Sequence, residues 1–132
     1  MRQLSLLLAL IVLVGLAFAS DLNGTYKGTW ASDSQGGGDL TMNFSGDSGS
    51  VKADVSFTNG GETVKCDVKS VKLDGSKLLL VMDYGEGSRY EAIVSGELHE
   101  KVLSGTYKTK SLADDSPGDA GTWKTTKSSG NQ

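Results

Sequence analysis

The sequence predicts an all-β protein, an eight-stranded antiparallel up-and-down (meander) β-barrel that follows an N-terminal signal peptide. Three observations predict it. Beyond residue 19 apolar and polar residues alternate, and no stretch with helical periodicity exceeds two turns. Glycine, asparagine or aspartate interrupts the alternation about every ten residues, leaving connections too short for anything but pairing between sequence neighbours. Finally, the phrase "GTYKGTW" at 24–30 returns as "GTYK" at 105–108 and "GTWK" at 121–124, which is expected if the last strands close against the first.

Residues 1–19 read as a signal peptide. Arg2 precedes an apolar run from Leu6 to Val14, and Ala17-Phe18-Ala19 supplies the small residues of a cleavage site after Ala19. The run is shorter than the roughly 20 residues of a spanning helix. Residues 20–127 form the barrel domain and 128–132 a disordered tail, so the exported chain has 113 residues and one core. Without Arg2 it carries 12 basic and 16 acidic residues, a net charge near −4. That balance excludes a nucleic-acid partner and an anionic membrane surface, both of which need a basic face. Cys66 is the single cysteine, so no internal disulfide forms.

The predicted strands are 22–31, 39–46, 50–58, 62–73, 76–84, 89–98, 102–111 and 120–127. In the first, Tyr26 and Trp30 point inward along with Gly24 and Gly28, and Thr25, Lys27 and Thr29 point out. The second turns Leu40, Met42 and Phe44 in, the third Val51, Ala53, Val55 and Phe57. The fourth begins with Val64, Cys66 and Val68 inward but ends with Val71 and Leu73, of opposite parity. Asp74-Gly75 is taken as a two-residue hairpin loop, setting Val71 opposite Leu78. One extra residue at Lys69-Ser70 then restores the inward face, so a β-bulge is expected there. This register puts Lys65, Asp83, Glu91 and Lys110 in one outward row, a solvated charge ladder rather than a catalytic pair. The fifth strand turns in Leu78, Leu80, Met82 and Tyr84, and the sixth Tyr90, Ala92, Val94 and Leu98. The seventh contributes Leu103 and Tyr107, and the eighth Trp123, with Gly105 and Gly121 inward beside the rings. An oily interior and a polar exterior are the inverse of a membrane barrel, so no membrane insertion is expected. Inward glycines beside aromatic rings let strands coil tightly and let rings lie against backbone.

The odd-numbered turns share one end. They include "SDSQGGGD" (32–39), "GEGSR" (85–89) and "SLADDSPGD" (111–119), and form an acidic, glycine-rich mouth above a floor of tight turns. A negative mouth favours a cation or a cationic ligand. The aspartates of "ADDSPGD" lack the alternate spacing of a dense calcium loop, and one histidine with one cysteine on different strands makes no zinc site, so no metal or cofactor is expected. His99 belongs to the floor turn and Cys66 to the interior, which leaves nucleophilic catalysis without a base. The chain is therefore read as a non-enzyme. On the outer wall, Leu79, Val81 and Ile93 cluster across strands five and six, with Asp67 and Lys108 flanking, and mark a candidate interface for a homo-oligomer.

"LNGTYKGTW", followed by a glycine-rich loop and "DLTMNF", resembles the opening hairpin of avidin-type and lipocalin-type barrels, the calycin group. The resemblance implies a small, often apolar molecule held inside the barrel, with Ser32 to Asp39 as a lid and Trp30 and Trp123 as wall residues. The expected ligand contacts are Tyr26, Trp30, Phe44, Phe57, Met82, Tyr84, Tyr107 and Trp123. Small bacterial protease inhibitors share the plan and act through a terminus. The alternative is therefore a protein-interaction module or envelope component with a filled barrel, working through its loops or outer wall.

Overall fold

A computed structural model describes residues 22–34, 36–47, 50–87 and 89–128. The proposed signal peptide, Gln35, Ser88 and tail residues 129–132 lie outside the described residues. Eight strands follow one another as β1 (Gly24–Ser32), β2 (Gly37–Asp47), β3 (Ser50–Asn59), β4 (Glu62–Asp74), β5 (Lys77–Tyr84), β6 (Tyr90–His99), β7 (Val102–Ser111) and β8 (Pro117–Lys127). Each pairs antiparallel with its sequence neighbour, and β8 returns to β1, so the sheet closes into a barrel. Closure leaves every strand with two partners and removes the sheet edges.

The seam explains the repeated phrase. Strands β7, β8 and β1 are adjacent, with Trp123 between Gly105 on one side and Trp30 on the other, and Gly121 between Tyr107 and Ser32. A methyl at Gly121 would press on the Tyr107 ring and phenol oxygen at 2.8 Å; one at Gly96 would meet the Trp123 ring. Glycine therefore faces aromatic across the ladder, and each ring occupies the space a side chain would need. Trp123 lies against the Gly96–Gly105 pair, and its indole N–H donates to the carbonyls of Ser95 (3.2 Å) and Thr106 (3.1 Å).

The floor half is filled. Met42, Leu80, Leu103, Phe44 and Leu98 are buried, and Tyr26, 0 % exposed, meets Phe44 edge-to-face at 5.6 Å. Leu22 precedes β1 in a turn rather than in strand, yet is 1 % exposed and joins this core. Thr125 is the one polar residue buried with it among the described residues, and its hydroxyl donates to Leu103 O at 2.9 Å. At the chain's far end Ser128 N–H donates to Thr25 O at 2.8 Å, holding the end of β8 against β1.

The expected bulge is present. Val68 pairs with Met82 and Ser70 with Val81, which leaves Lys69 as the extra residue. The surrounding register differs by two residues from the expected one. Gly75 and Ser76, not Asp74 and Gly75, occupy the hairpin loop, with Gly75 at φ +62° and Asp74 paired with Lys77. Val71 consequently faces Leu80 rather than Leu78, and Asp67 rather than Lys65 lies opposite Asp83. Two carboxylates thus stand side by side, and the bulged Lys69 supplies the cation, 2.8 Å from Asp67 and 4.0 Å from Asp83. The Asp83–Glu91–Lys110 part of the row forms as expected. The same shift places Ser70, not Asp67, beside Val81. Tyr90, expected inside, is 41 % exposed: at the rim its ring stacks on Tyr84 at 5.5 Å while its outer face meets water.

Candidate ligand-binding site

The meander brings the mouth-proximal ends of β1, β3, β5 and β7 to one end, and each delivers an inward aromatic residue there. Trp30 meets Tyr107 at 6.1 Å and Phe57 at 5.9 Å, and Phe57 meets Tyr84 at 5.4 Å, all edge-to-face. Such pairs contribute about 0.5–1.5 kcal/mol each beyond the area they bury, and they fix ring orientation. The Trp30 indole N–H is occupied by Thr58 O at 3.0 Å, which anchors that ring to β3.

Beneath this aromatic collar the barrel is not filled. A cavity of about 710 Å³ opens at the mouth. Its wall includes the four collar rings, and its lower part is formed by Leu40, Met42, Met82, Ala92, Val94 and Trp123. That volume and apolar character fit a small-molecule site. Of the residues expected to touch a ligand, Trp30, Phe57, Met82, Tyr84, Tyr107 and Trp123 are brought together around this space. Tyr26 and Phe44 do not reach it, because they pack against one another towards the floor.

One lining residue went unrecognised in the sequence as part of the interior. Asp119 belongs to β8, which starts at Pro117 and not at 120, and alternation from Trp123 through Gly121 turns it inward. A second bulge sits here: Lys108 pairs with Ala120 and Lys110 with Pro117, so Gly118 and Asp119 face Thr109 alone. The Thr109 hydroxyl accepts the Asp119 N–H at 2.7 Å, holding the bulge. Bulges commonly re-aim a side chain at the rim of a barrel.

The Asp119 carboxylate accepts hydrogen bonds from Ser32 Oγ on β1 at 2.7 Å and from the Tyr107 hydroxyl at 2.9 Å. Desolvation pushes its pKa up, but these two donors and the Ala120 backbone N–H outweigh it and hold the carboxyl below the ordinary value. Burial pushes the Tyr107 hydroxyl the other way, well above an ordinary phenol, and the neighbouring carboxylate adds to the shift. Asp119 is thus ionised and Tyr107 neutral across the physiological range. The signal for Asp119 was available by counting in twos from Trp123.

The remaining acids of the β7–β8 loop serve the loop itself. Asp114 accepts from the Ser116 backbone N–H at 3.0 Å and its hydroxyl at 2.7 Å, and Asp115 pairs with Lys110 at 3.1 Å. Cys66 lies against the core, where burial pushes its thiol up to about 12. His99 ends β6 at the floor, 3.7 Å from Glu97. On the outer wall Leu79 and Ile93 are 36 % and 38 % exposed, and Val81, paired with Ile93, is less so. Neither the protein-family models nor the curated proteins compared with the chain match it.

Proposed function

We propose that this chain is a secreted, non-enzymatic barrel of calycin-like plan that binds a small hydrophobic or amphipathic molecule in its mouth half. The carrying observation is the open cavity of about 710 Å³ under the collar of Trp30, Phe57, Tyr84 and Tyr107. Ligand binding needs concavity, apolar wall and a few polar groups, and all three coincide here. A binding rather than catalytic role is favoured by the distance of His99, at the floor, and by the protonated thiol of Cys66. The only two tryptophans, Trp30 and Trp123, both line the cavity, so their emission is a direct reporter. Titration with lipophilic and amphipathic compounds should give a saturable shift or quench with at least one of them. Ala92→Phe, which puts a ring into the cavity, should abolish that response. A flat signal across the panel would end this reading.

The outer wall favours a second reading, an interaction module of inhibitor or envelope type. Leu79 and Ile93 leave apolar surface exposed on β5 and β6, and a homo-oligomer through those strands would cover it. Sedimentation of the wild type beside Ile93→Lys decides it: self-association lost in the variant supports the wall, and a wild-type monomer removes it.

A further inference from the structure

The chemistry of the mouth selects among amphipathic ligands. Three donors of the mouth are already engaged: Trp30 N–H with Thr58 O, the Tyr107 hydroxyl and Ser32 Oγ with Asp119. Acceptor capacity is left over, because a carboxylate offers about four lone-pair directions and these two hydroxyls with the Ala120 N–H use three. Among the described residues lining the cavity Asp119 is the only charged one, and no basic side chain lies in salt-bridge range of it. The four rings meet edge-to-face around the same opening, and a cation placed over the face of such a ring, within about 6 Å of its centroid, is attracted to it. An anionic head would meet the like charge of the carboxylate, and a neutral head would leave that charge without a counter-ion once water is displaced.

Resting on the ligand-binding reading above, we infer that the ligand is an organic cation: an alkyl- or aryl-ammonium whose nitrogen sits at Asp119 inside the collar of Trp30, Phe57, Tyr84 and Tyr107, with its apolar part directed down towards Met82, Val94 and Trp123. The bulge at Gly118-Asp119 is then the element that specifies the ligand, since it fixes the Asp119 backbone against Thr109 at the rim and leaves the carboxylate to Ser32 and Tyr107. The apolar depth supplies affinity and the carboxylate supplies the choice of head group.

The test uses four probes of equal chain length below their micellar concentrations: octyltrimethylammonium, octylamine, octanol and octanoate. Tryptophan emission and calorimetry should rank the two ammonium probes above octanol by about tenfold or more, with octanoate weakest. Asp119→Asn should shrink the ammonium-to-octanol ratio about tenfold. A wild-type measurement guards against a misfolded variant: acidification to below the ordinary carboxyl range, far enough to protonate a carboxyl held under its usual value, should lower that same ratio. Octanoate binding as tightly as octylamine, or a ratio indifferent to both Asp119→Asn and pH, overturns the inference while the cavity reading stands. Failure of all four probes to bind removes both.

Discussion

At the scale of single residues, the interior is defined as much by what glycine omits as by what aromatic residues add. A β-carbon at Gly121 would collide with the Ala31 carbonyl and press on the Tyr107 ring, whose hydroxyl holds Asp119. Neighbouring backbone cannot retreat from such a contact, and overpacking of this kind costs about 1–3 kcal/mol. Gly121→Ala should therefore lower the urea midpoint accordingly, whereas Thr122→Ala, one residue on and exposed, should stay within about 0.5 kcal/mol. Asp119 makes a pH-dependent contribution whose sign follows from its pKa. The folded protein holds the carboxyl below the ordinary value, so the stabilisation is present above the unfolded value and fades as pH falls through the folded one. Denaturation midpoints taken at about pH 5 and about pH 2.5 should converge partly in Asp119→Asn; an unchanged acid slope would show that the carboxylate is not held as described. Asp119 was legible as an acid of the mouth, but its inward place on β8 was hidden because "SLADDSPGD" has the composition of a loop. Composition set the start of the last strand at 120, although parity continues through Gly121 to Asp119.

At the scale of elements, turn chemistry decides which residues meet. The eight strands and their faces were legible because half-buried strands write their burial directly into alternation. Registers were legible only where the loop residues were placed correctly. Reading Asp74-Gly75 as the loop, when Gly75-Ser76 occupies it, shifted every β4–β5 pair by two. A two-residue error preserves faces, so the core list survived while the charge partners changed: Asp67 and Lys69 replaced Lys65 beside Asp83. The Lys69 bulge could be found because inward apolar residues change parity across it, from Val68 to Val71. The bulge at Gly118-Asp119 could not, since no large apolar residue precedes it on β8 to register the slip. The hairpin itself supplies a clean experiment. Gly75 has φ +62° and open space around the position a β-carbon would take, so only backbone conformation opposes a side chain there. Asparagine tolerates this region and β-branched residues do not. Gly75→Asn should cost less than about 0.5 kcal/mol and Gly75→Val about 1–2 kcal/mol, read from chemical denaturation. Equal losses would mean that contacts, not φ, govern this turn.

At the scale of the whole molecule, closure links the fold to the site. The cavity wall draws on both ends of the described chain, with Trp30 from β1 and Asp119 and Trp123 from β8. The seam that joins them pairs Trp30 with Trp123 directly. A barrel of this kind has no privileged starting strand, because each strand contacts its two neighbours and order around the ring is cyclic. If pairing rather than chain order holds the molecule closed, moving the ends should be harmless so long as the seam persists. Ser128 bonds to Thr25, which stands three residues after Leu22, so a flexible linker of about six residues can join the described ends across the floor. A permutant opened between Gly75 and Ser76, where nothing crowds the turn, should retain the β-sheet circular dichroism and the buried tryptophan emission of the parent. Removal of β8 after Ser116 takes away the partner of both β1 and β7, together with Asp119 and Trp123, and exposes two long edges. That truncation should aggregate or unfold. A permutant that loses buried tryptophan emission while the truncation keeps it would mean that the seam does not hold the barrel, and the cavity built across it would lose its basis.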